Sequence, residues 1–143
     1  QERASDTLEL VSGRTDYTRL KGIKEWNFGL FEAQPEHLQP KFRPGATSFE
    51  DLFVPYGGEG VDQVGERMLV TLTEVMEQAG AEPVLAVSHG GAMWAFYLKI
   101  AAQALDPKVR FGNCAICHYQ YEQGHFKQAE VIDALTGSVY ECE

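Results

Sequence analysis

The chain is 143 residues long and 44% hydrophobic, with 21 Asp and Glu against 12 Lys and Arg, a formal net charge of −9. That length and composition suit one domain with a sizeable core, so residues 1–143 are read as a single domain. The acidic balance argues against a nucleic-acid binder or a ligand of anionic membrane, both of which need a basic face, so positive charge around any bound anion must be local.

The first predicted helix runs from Arg3 to Val11, with Ala4, Leu8 and Val11 on one face, and Ser12-Gly13-Arg14-Thr15-Asp16 stops it. The chain opens Gln1-Glu2-Arg3-Ala4 without an initiator Met and already inside that pattern, so further residues are expected upstream. A long irregular region follows to about Gly60. It is rich in aromatics (Trp26, Phe28, Phe31, Phe42, Phe49, Phe53, Tyr56) and punctuated by Pro35, Pro40, Pro44 and Pro55, which predicts a packed lid with short helices at Pro35 to Leu38 and Ser48 to Leu52.

Val61 to Ala79 is the strongest helix signal: Val64, Met68, Leu72, Val75 and Ala79 recur at three and four residues, and Gly80 closes it. After Pro83 four apolar residues predict a strand from Val84 to Ser88, buried on both faces as in a parallel sheet, then a helix from Ala92 to Leu105. Cys114 to Tyr121 and Phe126 to Ile132 alternate like strands around Gln123-Gly124, a hairpin signal. This order predicts a three-layer α/β/α sandwich whose mixed, mostly parallel sheet ends in a C-terminal hairpin. No apolar run approaches a membrane span and no signal peptide is seen, so a cytoplasmic location is expected.

The turn Ser88-His89-Gly90-Gly91 is where an α/β protein places an anion. His89 ends the predicted strand, Gly90 and Gly91 admit a ligand close to the backbone, and the N–H groups opening the next helix favour negative charge. The alternative is a structural His in an ordinary strand-to-helix turn.

Several segments, taken in order, resemble the histidine phosphatase superfamily, the group containing phosphoglycerate mutase. Glu2-Arg3-Ala4-Ser5-Asp6-Thr7 looks like its Arg-Ala-x-x-Thr helix start, and Lys24-Glu25-Trp26-Asn27-Phe28-Gly29-Leu30-Phe31-Glu32-Ala33 like its Glu-x-x-Phe-Gly segment. Gly57-Gly58-Glu59-Gly60, with Arg67 behind it, resembles the Gly-Glu-Ser element, Ser88-His89-Gly90-Gly91 the second-histidine motif, and Asn113-Cys114 the start of the last hairpin. The resemblance implies a phosphoglycerate mutase-like fold and a phosphomonoesterase working through a phosphohistidine, without metal or organic cofactor, on a phosphorylated small molecule. A homo-oligomer is compatible with it. Arg3, His89, Gly90 and Gly91 would then bind phosphate, His89 would clamp the transition state, and Glu25 would be the proton donor, with Glu32 or Glu59 as alternative acids. Arg67 reads as a helix-surface or scaffold ion-pair residue.

The family's nucleophile lies in an Arg-His-Gly motif at the end of a first strand, yet none of His37, His89, His118 and His125 follows an Arg. The chain therefore reads as the C-terminal portion of such a domain, and these 143 residues alone are expected to be inactive. Trp26, where mutases carry Arg, and Gly91, where they carry Asn, favour a phosphatase over a mutase. Without the nucleophile strand the alternative is a non-catalytic phosphate-binding or interaction domain. A third reading is a haem, metal or redox module on Cys114, Cys117 and His118, which match the C-x-x-C-H pattern; a strand there would send the two thiols to opposite faces.

Overall fold

The computed structural model describes residues 1–101, Val109 and residues 111–142. Helix α1 spans Glu2–Ser12 and ends on Gly13, whose left-handed backbone donates its N–H to Glu9 O. Its inward side is Ala4, Ser5, Leu8 and Ser12 rather than the predicted stripe, since Val11 is exposed. The region up to Gly60 is irregular, as expected, and is folded through short 3-10 turns at Lys21–Ile23, Gly29–Phe31, Glu36–Leu38 and Val54–Tyr56. Ser48 to Leu52 is not helical, because the chain turns there through Glu50 at φ 48°.

Helix α2 (Val61–Ala79) and helix α3 (Gly90–Ile100) cross closely at Gly65. A Cβ at Gly65 would lie 2.9 Å from Ala95 O and 3.0 Å from Lys99 Cβ, so the crossing is set by the missing side chain. Helix α3 begins two residues before the predicted Ala92; the rest of that predicted helix, residues 102–105, lies outside the described residues. Val64 and Met68 of α2 pack with Ala92, Ala95 and Phe96 of α3 around Trp26 from the lid, and this is the larger core.

The sheet corrects the predicted architecture. Its three strands, β1 (Ala115–Glu122), β2 (His125–Asp133) and β3 (Val139–Glu141), are ordered β1-β2-β3, and both pairings are antiparallel. The predicted strand Val84 to Ser88 runs without a ladder among the described residues, and Leu85 is 58% exposed. A parallel strand owes its identity to neighbours on both sides, and an apolar run alone cannot supply them. The mostly parallel sheet is therefore absent from the described chain.

The hairpin is as expected. Gln123 and Gly124 both have positive φ (48° and 82°), the geometry whose twist matches the flanking strands. One face of the sheet receives α3, with Phe96 edge-on to Tyr119 and Phe126. The other face presents Ile116, His118, Gln120 and Glu122 outward, so among the described residues the layers are two, not three. A second, smaller core joins Tyr97 and Val109 to Val131. Among the described residues no helix is long and apolar enough to cross a membrane.

Candidate active site

Local chemistry places His89 at the start of α3. Its backbone is extended (φ −129°, ψ 153°), its carbonyl accepts the first helical bond from Met93 N, and its side chain is only 8% exposed. The preceding Ser88 donates its hydroxyl to Ile23 O at 2.8 Å, which ties the turn to the lid. Gly90 N and Gly91 N have no protein acceptor among the described residues, so two N–H groups remain at the positive end of the helix.

Glu25 reaches the same helix end from the lid. Its Oε1 accepts N–H bonds from Ala92 and from Trp26, each 2.9 Å, and lies 2.8 Å from where a Cβ on Gly91 would be. A side chain at position 91 would therefore require the carboxylate to shift from its place on the Ala92 and Trp26 N–H groups. The imidazole of His89 lies within the electrostatic reach of both Glu25 and Arg3. Burial, and next the charge of Arg3, push its pKa below the ordinary 6.5, and the carboxylate of Glu25 opposes them. Arg3 itself is exposed on the first turn of α1. The structure thus brings Glu25, His89, Gly90 and Gly91 together at one helix start, with the charge of Arg3 within electrostatic reach of the imidazole.

The two alternative acids are occupied elsewhere. Glu32 accepts from Phe28 N at 2.8 Å. Glu59 takes both arms of Arg67, at 2.8 and 2.9 Å, and also accepts from Asn27 N at 2.9 Å. Burial would raise the Glu59 carboxyl, but Arg67 and the Asn27 N–H outweigh it and hold the group below the usual carboxylate value. Arg67 also donates to the carbonyls of Gly22, Lys24 and Glu25, at 2.8, 2.9 and 3.0 Å. One guanidinium of α2 thereby fixes the backbone that carries Glu25, a scaffold role of the kind its place behind the Gly-Glu element indicates.

A cavity of about 510 Å³ opens beside this site. Gly90 and Gly91 form one edge, and Trp26, Phe42, Phe49, Trp94 and Phe111 supply its apolar walls. Trp26, Phe42 and Phe49 belong to the predicted lid, whereas Trp94 and Phe111 were not singled out in the sequence. The available signal was Trp94 itself, three residues after Gly91 and so on the same side of the helix start.

The cysteine motif is split by strand geometry. Cys117 points inward, where burial pushes its thiol up to about 11, while His118 points outward and its ring meets Glu130 at 3.2 Å. Cys114 precedes the strand and is exposed. Among the described residues no group of three or more His, Cys, Asp or Glu is arranged to hold a metal.

Comparison with known proteins agrees with the motif order. The metal-independent phosphoserine phosphatase of Arabidopsis thaliana is 31% identical over 93 residues, covering 65% of this chain and 37% of that protein. Phosphoglycerate mutase-like protein 4 of Arabidopsis thaliana is 23% identical over 104 residues, 67% of this chain and 45% of that protein. The matched part spans less than half the length of either relative. No solved structure matches. The sequence model of the histidine phosphatase superfamily, branch 1, matches residues 1–134, and the chain belongs to that family.

Proposed function

We propose that this chain carries the phosphate clamp and the acid/base of a phosphomonoester hydrolase that works through a phosphohistidine. The observation that carries this reading is the meeting of Glu25 and His89 at one helix start, where Gly90 N and Gly91 N lack acceptors among the described residues. Phosphoryl transfer asks for fixed donors around three spreading oxygens, and the two N–H groups, the His89 ring and the Arg3 fork are of that kind. In the reaction, a nucleophilic histidine attacks phosphorus as the P–O bond to the leaving group breaks, and Glu25 gives its proton to the departing alkoxide. Glu25 then takes a proton from water as that water attacks the phosphohistidine, releasing phosphate and the free imidazole. No histidine of these 143 residues follows an Arg, so the nucleophile would come from an Arg-His-Gly segment outside them. Alone, the chain would bind phosphate without turnover.

The names of these relatives divide between a phosphatase and a mutase-like protein. Trp26 supports the phosphatase: its ring is buried and its Nε1 donates to Glu59 O at 2.6 Å, so it offers no charge to a second anionic group. Gly91 supports it too, since the Glu25 carboxylate fills the space that a side chain there would need.

The test uses protein carrying the Arg-His-Gly segment. Glu25→Gln should lower hydrolysis of an alkyl phosphate at least tenfold more than that of p-nitrophenyl phosphate, whose leaving group needs no proton; equal losses would remove Glu25 from the acid role. His89→Ala should depress hydrolysis of both by orders of magnitude, and near-normal rates would overturn the site.

A further inference from the structure

We infer that the cavity beside the phosphate clamp seats an aromatic ring, so that the site takes phosphomonoesters of aromatic alcohols in preference to those of charged amino or hydroxy acids. The inference rests on the proposed reading of the Gly90-Gly91 turn as a phosphate site. The cavity's about 510 Å³ falls within the range of organic-ligand pockets, and among the described residues none that lines it is charged. Its polar handles are largely spent inside the protein. Trp94 Nε1 donates to Thr47 O at 2.6 Å, Trp26 Nε1 to Glu59 O at 2.6 Å, and Ser48 Oγ accepts from Glu50 N at 2.9 Å. Arg43, next to Phe42 on the lid, is paired with Glu50 at 2.6 Å. What the walls offer is ring surface: Phe42 stacks on Phe49 with centroids 5.4 Å apart, and Trp94 stands edge-on to Phe111 at 5.3 Å.

An amino-acid or hydroxy-acid leaving group would bring a carboxylate, with or without an ammonium, into this space. Neither ion finds a charged partner among the described residues of the walls, and an unpaired charge removed from water is costly. A flat ring instead gains stacking and edge contacts with the aromatics. The seam between the two halves is Gly91, where an added Cβ would lie 2.8 Å from Glu25 Oε1 and 3.4 Å from Phe49 Cε2. Because that seam is bare, a bridging ester oxygen can lie against the carboxylate while its ring passes into the cavity.

Binding can be read without turnover, because both tryptophans of the chain, Trp26 and Trp94, line the cavity. Phenyl phosphate, O-phospho-L-serine and inorganic phosphate are titrated by calorimetry, with tryptophan emission followed in parallel. Phenyl phosphate should bind at least tenfold more tightly than O-phosphoserine and shift the emission saturably. Phe42→Ala, at the 56%-exposed mouth of the cavity, should weaken phenyl phosphate at least threefold and leave inorganic phosphate unchanged. Inorganic phosphate binding combined with no preference for phenyl phosphate over O-phosphoserine would overturn the aromatic subsite and leave the phosphate site standing. Equal weakening of phenyl and inorganic phosphate by Phe42→Ala would likewise remove the subsite. Failure of all three ligands to bind would overturn the phosphate site, and the inference with it.

Discussion

At the scale of single residues the site hangs on Arg67. Its guanidinium and the Glu59 carboxylate are each only 18% exposed, so both charges are largely shielded from water. Arg67→Met would strand the carboxylate and release three carbonyls of the segment carrying Glu25. Removing one partner of a largely buried pair costs about 3 kcal/mol, and urea unfolding should show a loss of that size. A loss below about 1 kcal/mol would mean that the pair is dispensable. In protein carrying the Arg-His-Gly segment the same variant should lower kcat for alkyl phosphates more than for p-nitrophenyl phosphate, because it would misplace the proposed acid, which activated esters do not need. Glu25 and His89 could be singled out as candidates in the sequence because each sits in a short run of distinctive residue types. The reach of Arg67 was not, because three of its acceptors are backbone carbonyls, and a carbonyl leaves no mark on residue identity. The walls contributed by Trp94 and Phe111 were hidden for another reason: they join the lid only in three dimensions.

At the scale of elements, two positions test what shapes the helices and the hairpin. Gly65→Ala would gain about 1 kcal/mol in helix propensity, yet its methyl would meet Ala95 O at 2.9 Å, where α2 and α3 cross. Backbone cannot yield as a side-chain tip can, so the net effect is expected to be a loss of about 1–3 kcal/mol, seen as a lowered Tm. An unchanged or raised Tm would show that the crossing is looser than its geometry. Gln123 has the opposite problem. It holds φ 48° in the hairpin turn, a conformation that Asn adopts more readily, so Gln123→Asn should stabilise by about 0.5–1 kcal/mol in urea unfolding. Destabilisation would mean that the Gln side chain makes a contact worth more than the turn. Helix α2 was readable to the residue, Val61–Ala79, because its 3.6-residue period and closing Gly80 are local signals. The hairpin was readable through Gln123-Gly124 for the same reason. The run from Val84 was misread because a strand exists only through its neighbours, and β3, three residues long, has too little alternation to show.

At the scale of the whole molecule, the buried charges tie the site to stability. His89 and Glu59 both titrate lower in the folded chain than their ordinary 6.5 and 4.5, His89 through burial and then Arg3, Glu59 through Arg67 and the Asn27 N–H acting against burial. Each therefore binds its proton less readily when folded, so the unfolded chain holds more protons and stability rises with pH across each window. The His89 contribution is complete above pH 6.5 and is lost as the pH falls through its lowered folded value. That of Glu59 is complete above pH 4.5 and is lost below it, where Asp16, held low by Arg14, and Asp133, held low by the N–H groups of Leu135 and Thr136, add losses of the same sign. Two limbs are expected in urea unfolding at stepped pH, a shallow one starting beneath pH 6.5 and a steeper one beneath 4.5. His89→Asn should flatten the upper limb and leave the lower one, whereas Arg67→Met should weaken chiefly the lower limb and change the upper one less, since its charge is the smallest of those that act on His89. An upper limb that persists in His89→Asn would place the titrating group elsewhere, and would break the link between the proposed phosphate clamp and the acid sensitivity of the fold.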